Sequence, residues 1–216
     1  MTIVSRSVDG VTSADISSIP YTVGWTRAAI AVHSMLQIPV PMFLRLEADE
    51  HPPLVIDFRH HAFDWAVAMA DFPAHPLEVT VETEPTTAEA APLFALPGRN
   101  LDSLLWEIGQ HSFAGMPASW LRPGDRYKLT RWPNLTEHAH TLTQMRMTAM
   151  LGNVFLTADE LAVAADVELA SAQSLLNAFS LMGILQTSSE AAVAVPVVEP
   201  VASRGLFDRL RERLGL

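Results

Sequence analysis

The segment Asp57-Phe-Arg-His60-His61-Ala-Phe-Asp64 sets two imidazoles between two carboxylates. These are the side-chain types that exchange protons or bind a divalent metal. On a strand Asp57 and His61 share a face, because side chains four residues apart point the same way. A second pair, His138 and His140, has a spacing that on a helix turns the two rings about 200° apart, which does not build a helical zinc site. With eight His in 216 residues, such coincidences are expected without function. The plainer account makes them exposed polar residues at a strand end and a helix start. Gly109-Gln-His-Ser112-Phe-Ala-Gly115 superficially offers a nucleophilic serine. It lacks the Gly-x-Ser-x-Gly spacing that strains a serine onto a sharp elbow, and it reads as a helix C-terminus. There is no Gly-rich phosphate loop ending in Gly-Lys-Ser/Thr and no Gly-x-Gly-x-x-Gly, so neither route to nucleotide binding is supported. Zero cysteines exclude thiolate metal ligands, disulfides and cysteine nucleophiles. The expectation is a non-catalytic chain with no cofactor and no metal. A metal-dependent enzyme using the His60/His61 region is the weakest of three alternatives.

The elements around these residues must first make a folded body. A chain with 49% hydrophobic and 18% charged residues and five Trp can bury a sizeable core, and its length has room for two domains. Lys+Arg 14 against Asp+Glu 24 gives a formal charge of −10, which opposes attraction to phosphate backbones and anionic lipid. The first residues mix Arg6, Asp9 and Asp15 with Ser and Thr and contain no signal-peptide core. No window reaches the roughly 20 apolar residues that span a bilayer. Together with the missing cysteines, these features lead to the expectation of a soluble protein in the reducing cytoplasm.

Read along the chain, residues 1–19 form a leader and residues 20–135 an α+β domain. Trp25 to Gln37 predicts a helix, with a strand as the alternative. Met42–Glu47, Leu54–Arg59 and Leu77–Glu84 read as strands. Ala62–Pro73, rich in Phe63, Trp65, Val67, Met69 and Phe72, reads as a short helix, and Pro85–Pro97 as a loop. Asn100 stands as an N-cap before Leu101, Leu104, Leu105 and Ile108 on one helical face. Arg126–Trp132 alternates as a strand. Trp106, Trp120, Tyr127 and Trp132 gather near the domain junction, where packing is the simplest use of them.

Residues 136–195 are the better signalled domain. Glu137–Asn153 predicts a helix with a glycine stop at Gly152. Thr157-Ala-Asp-Glu160 is a capping box opening a second helix. Leu169–Met182 is a third, and Gly183-Ile184-Leu185 leads into a hairpin from Ser188-Ser189 to Val193–Val195. The run Thr157-Ala-Asp-Glu-Leu161-Ala162, Val167, Leu176, Phe179 and Gly183-Ile184-Leu185 resembles the winged-helix family, over about 60 residues. The resemblance implies three helices and a wing, with either DNA or protein as partner. In DNA-binding members the third helix enters the major groove. Glu168–Met182 offers Ser171, Gln173, Ser174 and Asn177 there but no Lys or Arg, and the whole unit sets six acidic side chains against Arg146. That balance disfavours DNA. A transcription regulator would have to draw its basic surface from Arg122, Arg126, Lys128 and Arg131.

Residues 196–203 continue a Val/Ala/Pro-rich linker. Residues 204–216 then put Leu206, Phe207, Leu210 and Leu214 on one helical stripe, with Arg209, Arg211, Arg213, Asp208 and Glu212 elsewhere. So short an amphipathic helix is marginal alone and needs a surface to fold against. Its own body, a partner's groove and a membrane interface are the three choices. Leu206, Phe207, Leu210 and Leu214, with Arg209 and Arg213, are the expected partner-binding residues. The leading expectation is a regulatory or scaffold adaptor that binds proteins, with weak membrane-surface contact still open.

Overall fold

The computed structural model describes residues 24–38, 40–134 and 140–189. The leader, the linker, the tail, His138 and the Val193–Val195 half of the expected hairpin lie outside the described residues. The described chain is mixed α+β. Helix α1 (Thr26–Gln37) precedes strands β1 (Met42–Ala48), β2 (Leu54–Asp57), β3 (Ala62–Asp64), β4 (Val79–Pro85) and β5 (Arg99–Asn100). These strands form one antiparallel sheet in the order β4-β1-β2-β3-β5. Helix α2 (Leu101–Gln110) follows, then β6 (Arg126–Leu129), α3 (Leu142–Asn153), α4 (Ala158–Ala165), α5 (Leu169–Leu181) and β7 (Leu185–Ser188).

Alternation explains the sheet. In β1, Leu44, Leu46 and Ala48 are buried while Arg45 and Glu47 are exposed, so one face is apolar and can be covered by helices. Leu54 and Ile56 of β2, Phe63 of β3 and Val79 of β4 join that face, and Ala28, Ala29 and Val32 of α1 with Leu101, Leu104, Leu105 and Ile108 of α2 complete the layer. Asn100 caps α2 as expected, its side chain accepting from the Asp102 amide.

Ala62–Pro73 is not a helix. It is β3 followed by a short 3-10 turn at Met69–Asp71. The ladder that pairs Ile56 with Phe63 and Asp57 with Ala62, and the Trp65 indole donating to the Pro52 carbonyl at 2.7 Å, satisfy backbone and side chain better than a helix with no clear apolar stripe.

The start of α3 also differs from expectation. It begins at Leu142, because Thr141 and Gln144 make a reciprocal capping box. It ends at Asn153 as expected, although Gly152 lies within the last turn and the cap is extended Val154 and not a glycine. A Cβ at Gly152 would stand 3.4 Å from the Trp132 ring, an ordinary van der Waals contact, so packing there does not require a glycine. Helix α4 has the expected Thr157/Glu160 box and closes on Asp166, whose left-handed φ of 54° turns the chain toward α5.

Strand β7 pairs with β6, and Tyr127 of β6 also bridges Leu156 in the α3–α4 link. A strand upstream of α3 therefore lies between Leu156 and the strand that follows α5. The buried apolar residues form one continuous cluster from Trp25 to Ile184, with α5 packed on α2. The contact is close: a Cβ on Gly109 would stand 2.3 Å from the Ala178 Cα, so α2 and α5 meet backbone to backbone.

Candidate functional site

Helix α5 is the helix that the sequence offered as a groove reader, yet from Ala172 to Met182 the chain has no exposed residue. Leu175, Leu176, Ala178, Phe179 and Leu181 are in the core, Phe179 lying 5.7 Å from the Trp106 ring. Asn177, read from the sequence as a surface polar residue, is fully buried. Its Oδ1 accepts from the Ala118 amide at 2.8 Å and its Nδ2 donates to the Met116 carbonyl at 2.9 Å. Ser180 accepts from the Trp120 indole and donates to the Asn177 carbonyl. The polar groups of the last two turns of α5 thus hold the 116–120 loop. Only residues 168–171 of this helix end are exposed, and they carry no cation.

The acid/base candidates are brought together in a different pairing from the one their spacing suggests. Asp57 is completely buried and takes the Arg59 guanidinium at 2.9 and 2.6 Å, while His60 stands 3.9 Å away. Burial alone raises the Asp57 carboxyl; the hydrogen bonds and charge of Arg59, with a smaller contribution from His60, overcome this and hold it below the usual carboxylate range. Arg59 also donates to the Thr87 and Ala90 carbonyls and covers the Phe43 ring. The pair thereby ties the 86–98 loop to the sheet.

His61, with a positive φ of 48°, turns the other way. Its Nε2 meets Asp102 Oδ1 at 2.8 Å, and Arg131 reaches Oδ2 of the same carboxylate at 3.1 Å. The bond from His61 lowers the Asp102 pKa most, burial opposes it, and Arg131 lowers it further. Asp102 is also in the first turn of α2, where the helix dipole favours a negative charge. Asp57 and His61 do not share a face, because the turn after β2 separates them. Asp64 is exposed at the end of β3. Among the described residues no three His, Asp or Glu side chains are placed to hold a metal ion. Ser112 is buried and donates to the Ile108 carbonyl, as the close of a helix would have it.

The cations proposed for a basic surface are mostly engaged. Arg126 pairs with Glu160 at 2.8 Å and reaches the Phe155 carbonyl. Arg131 is on Asp102, Lys128 lies 5.8 Å from the Phe155 ring centre, and Arg146 donates to the carbonyls of Ala164 and Ala165 at the end of α4.

One open surface was not foreseen. At the α4–α5 turn a groove of about 630 Å³ is lined by Asp159, Ala162, Val163, Asp166, Val167, Glu168 and Leu169. Val163 is 83% exposed and Leu169 38%. Asp159, Asp166 and Glu168 are exposed, and none forms an ion pair with another described residue. The available signal was Val163 itself, an apolar side chain on the otherwise open face of α4. The expected partner-binding residues, Leu206, Phe207, Arg209, Leu210, Arg213 and Leu214, lie outside the described residues, so the structure neither brings them together nor separates them. Among the described residues no helix is long and apolar enough to cross a membrane. Comparison with protein-family models, curated proteins and solved structures finds no match.

Proposed function

We propose that this chain is a non-catalytic regulatory or scaffold adaptor, acting in the cytoplasm, that binds other proteins through its C-terminal amphipathic segment and a winged-helix-like unit formed by α3, α4, α5 and β7. The observation that carries this reading is the burial of α5. A helix whose exposed residues are confined to its first turn, with Glu168 there and no cation, offers little face to lay along the bases and no charge for the phosphates. The commitment of Arg126 and Arg131 to Glu160 and Asp102 supports the same side against a DNA-binding regulator. The three-residue α4–α5 turn and the strand after α5 support the winged-helix likeness; the position of β6 beside both Leu156 and β7 is its departure from the expected hairpin.

The reading is tested in two steps with the full-length chain. Fluorescence anisotropy against a random-sequence duplex library at about 150 mM salt is expected to show no nanomolar binding, and such binding would return the regulator to first place. Proteins that co-purify with the wild type are then compared with those that co-purify with Phe207→Ala/Leu210→Ala. The double variant is expected to lose most of the bound partner, and Arg209→Gln/Arg213→Gln to weaken it in a salt-dependent way. Equal recovery of partner by the apolar double variant counts against the proposal.

A further inference from the structure

We infer that the groove at the α4–α5 turn is the docking site of the chain's own residues 204–216. This deepens the reading above and rests on its assignment of those residues as an amphipathic helix, though not on the existence of a partner.

The groove combines two properties. Its floor is apolar, with Val163 standing almost fully in solvent and Leu169 partly so, and its rim carries the carboxylates of Asp159, Asp166 and Glu168 with no cation among the lining residues. An isolated exposed valine needs no explanation. A valine and a leucine flanked by three carboxylates without counter-charges form a surface complementary to an apolar stripe edged with cations.

Residues 204–216 have that composition. Leu206, Phe207, Leu210 and Leu214 supply the stripe, and Arg204, Arg209, Arg211 and Arg213 outnumber Asp208 and Glu212 in a chain whose net charge is −10. The neighbouring base Arg146 is turned to the end of α4, where it donates to the Ala164 and Ala165 carbonyls. Its charge remains beside the Asp166 end of the groove, and the rim, with three carboxylates against that one guanidinium, stays negative overall toward an incoming Arg. At this exposed site the attraction orients and recruits more than it holds, and the apolar contact must supply the affinity.

Chain length permits the contact. The described residues end at Ser189, just beyond β7, and the groove is at the opposite end of α5, which spans 13 residues and about 20 Å. Residues 190–203 reach up to about 46 Å when extended, more than twice the distance along the helix. A tether of this length keeps the segment at an effective concentration in the millimolar range, enough to populate a weak site in cis. Docked there, the apolar stripe is withheld from a partner groove until a tighter one displaces it.

The test uses the absence of cysteine from the natural chain. In the full-length protein, Val163→Cys/Leu210→Cys is oxidised under dilute conditions and compared with Leu77→Cys/Leu210→Cys, in which the first cysteine replaces a residue 86% exposed on the β4 side of the molecule. Val163 and Leu77 are exposed and Leu210 lies outside the described residues, and far-UV circular dichroism checks that each variant is folded. The expected result is an intramolecular disulfide forming at least ~10-fold faster in the 163/210 pair than in the 77/210 pair. Adding Asp159→Asn/Asp166→Asn/Glu168→Gln is expected to slow it, and 1 M salt to do the same in the parent pair. Equal rates for the two pairs overturn the proposal. A predominantly intermolecular disulfide does so as well, since the segment would then occupy a second copy. Failure here leaves partner binding by Phe207 and Leu210 untouched, because that is read from co-purification and not from crosslinking.

Discussion

Helix α5 is exposed over its first turn and buried or half-buried over all that follows. At the buried end, Gly109 lets α2 approach to backbone contact with Ala178, Phe179 packs near Trp106, and Asn177 spends both ends of its amide on the 116–118 backbone. At the open end, Glu168 and Leu169 face the groove with Val163, Asp159 and Asp166. Polar groups occur at both ends, and the difference lies in their partners. Among the described residues most enclosed polar side chains are hydrogen-bonded, as Asn177 is, or charge-paired, as Asp57 and Asp102 are, with Gln110 Nε2 and Arg126 Nε the buried atoms that lack a hydrogen-bond partner. Where carboxylates are left without counter-charges they are in water. The comparison separates residues that hold the fold from residues free to meet something else, on the ground that desolvation makes an unpartnered interior group costly while solvent makes an exterior one cheap.

The contrast is broken most severely at the buried end. Gly109→Ala places a methyl carbon 2.3 Å from the Ala178 Cα, and neither backbone can yield without moving a helix. The expected cost is about 3 kcal/mol or more, read as a large drop in the urea midpoint or loss of soluble protein. Next comes Asn177→Ala, which strands the Ala118 amide and the Met116 carbonyl in the interior and is expected to cost about 2–4 kcal/mol. Hydrogen exchange should locate part of that loss in the 116–120 loop.

Acid gives a gentler probe of the paired interior. The carboxyl groups of Asp57 and Asp102 are both depressed in the folded state, so each stabilises the protein fully above the ordinary carboxylate pKa of 3.8 and loses that contribution as pH falls through the lower folded value. The unfolding midpoint should therefore hold between pH 7 and about pH 5 on their account and decline steeply below about pH 4. Asp102→Asn is expected to be less stable near neutrality and to show a shallower acid slope; an unchanged slope would mean that His61 and Arg131 contribute little. The smallest effect is expected at the open end. Asp159→Asn/Asp166→Asn/Glu168→Gln should leave stability within about 0.5 kcal/mol of the parent for each site, since these side chains support nothing in the described core.

Much of the local structure was legible before any coordinates. Thr157 and Glu160 announce the start of α4 because a capping box is complete within four residues, and Asn100 announces α2 because its side chain caps an amide two residues on. The strands β1, β2 and β4 follow from alternation. Thr141 and Gln144 spell an equally local box, yet the expected helix begins at Glu137, ahead of it. The candidate site was less legible. Asp57 and His61 are four residues apart in sequence and end on different carboxylate systems, because a turn with positive φ at His61 points its ring to Asp102, 41 residues away.

The sequence alone determined the charge balance, the absence of thiol chemistry, the α+β composition and the caps, all of which depend on composition or on neighbours within one helical turn. Only the tertiary structure decided that α5 is sealed along most of its length, that Asn177 is an interior clamp, that β6 is the partner of β7, and that Val163 and Leu169 share a groove with three carboxylates. Each of these depends on which distant surface arrives, and a helix has the same period whether its polar residues meet water or a buried loop. Ser171, Ser174 and Asn177 are spaced alike along α5, and the 116–118 backbone, closing over the third of them, makes the difference.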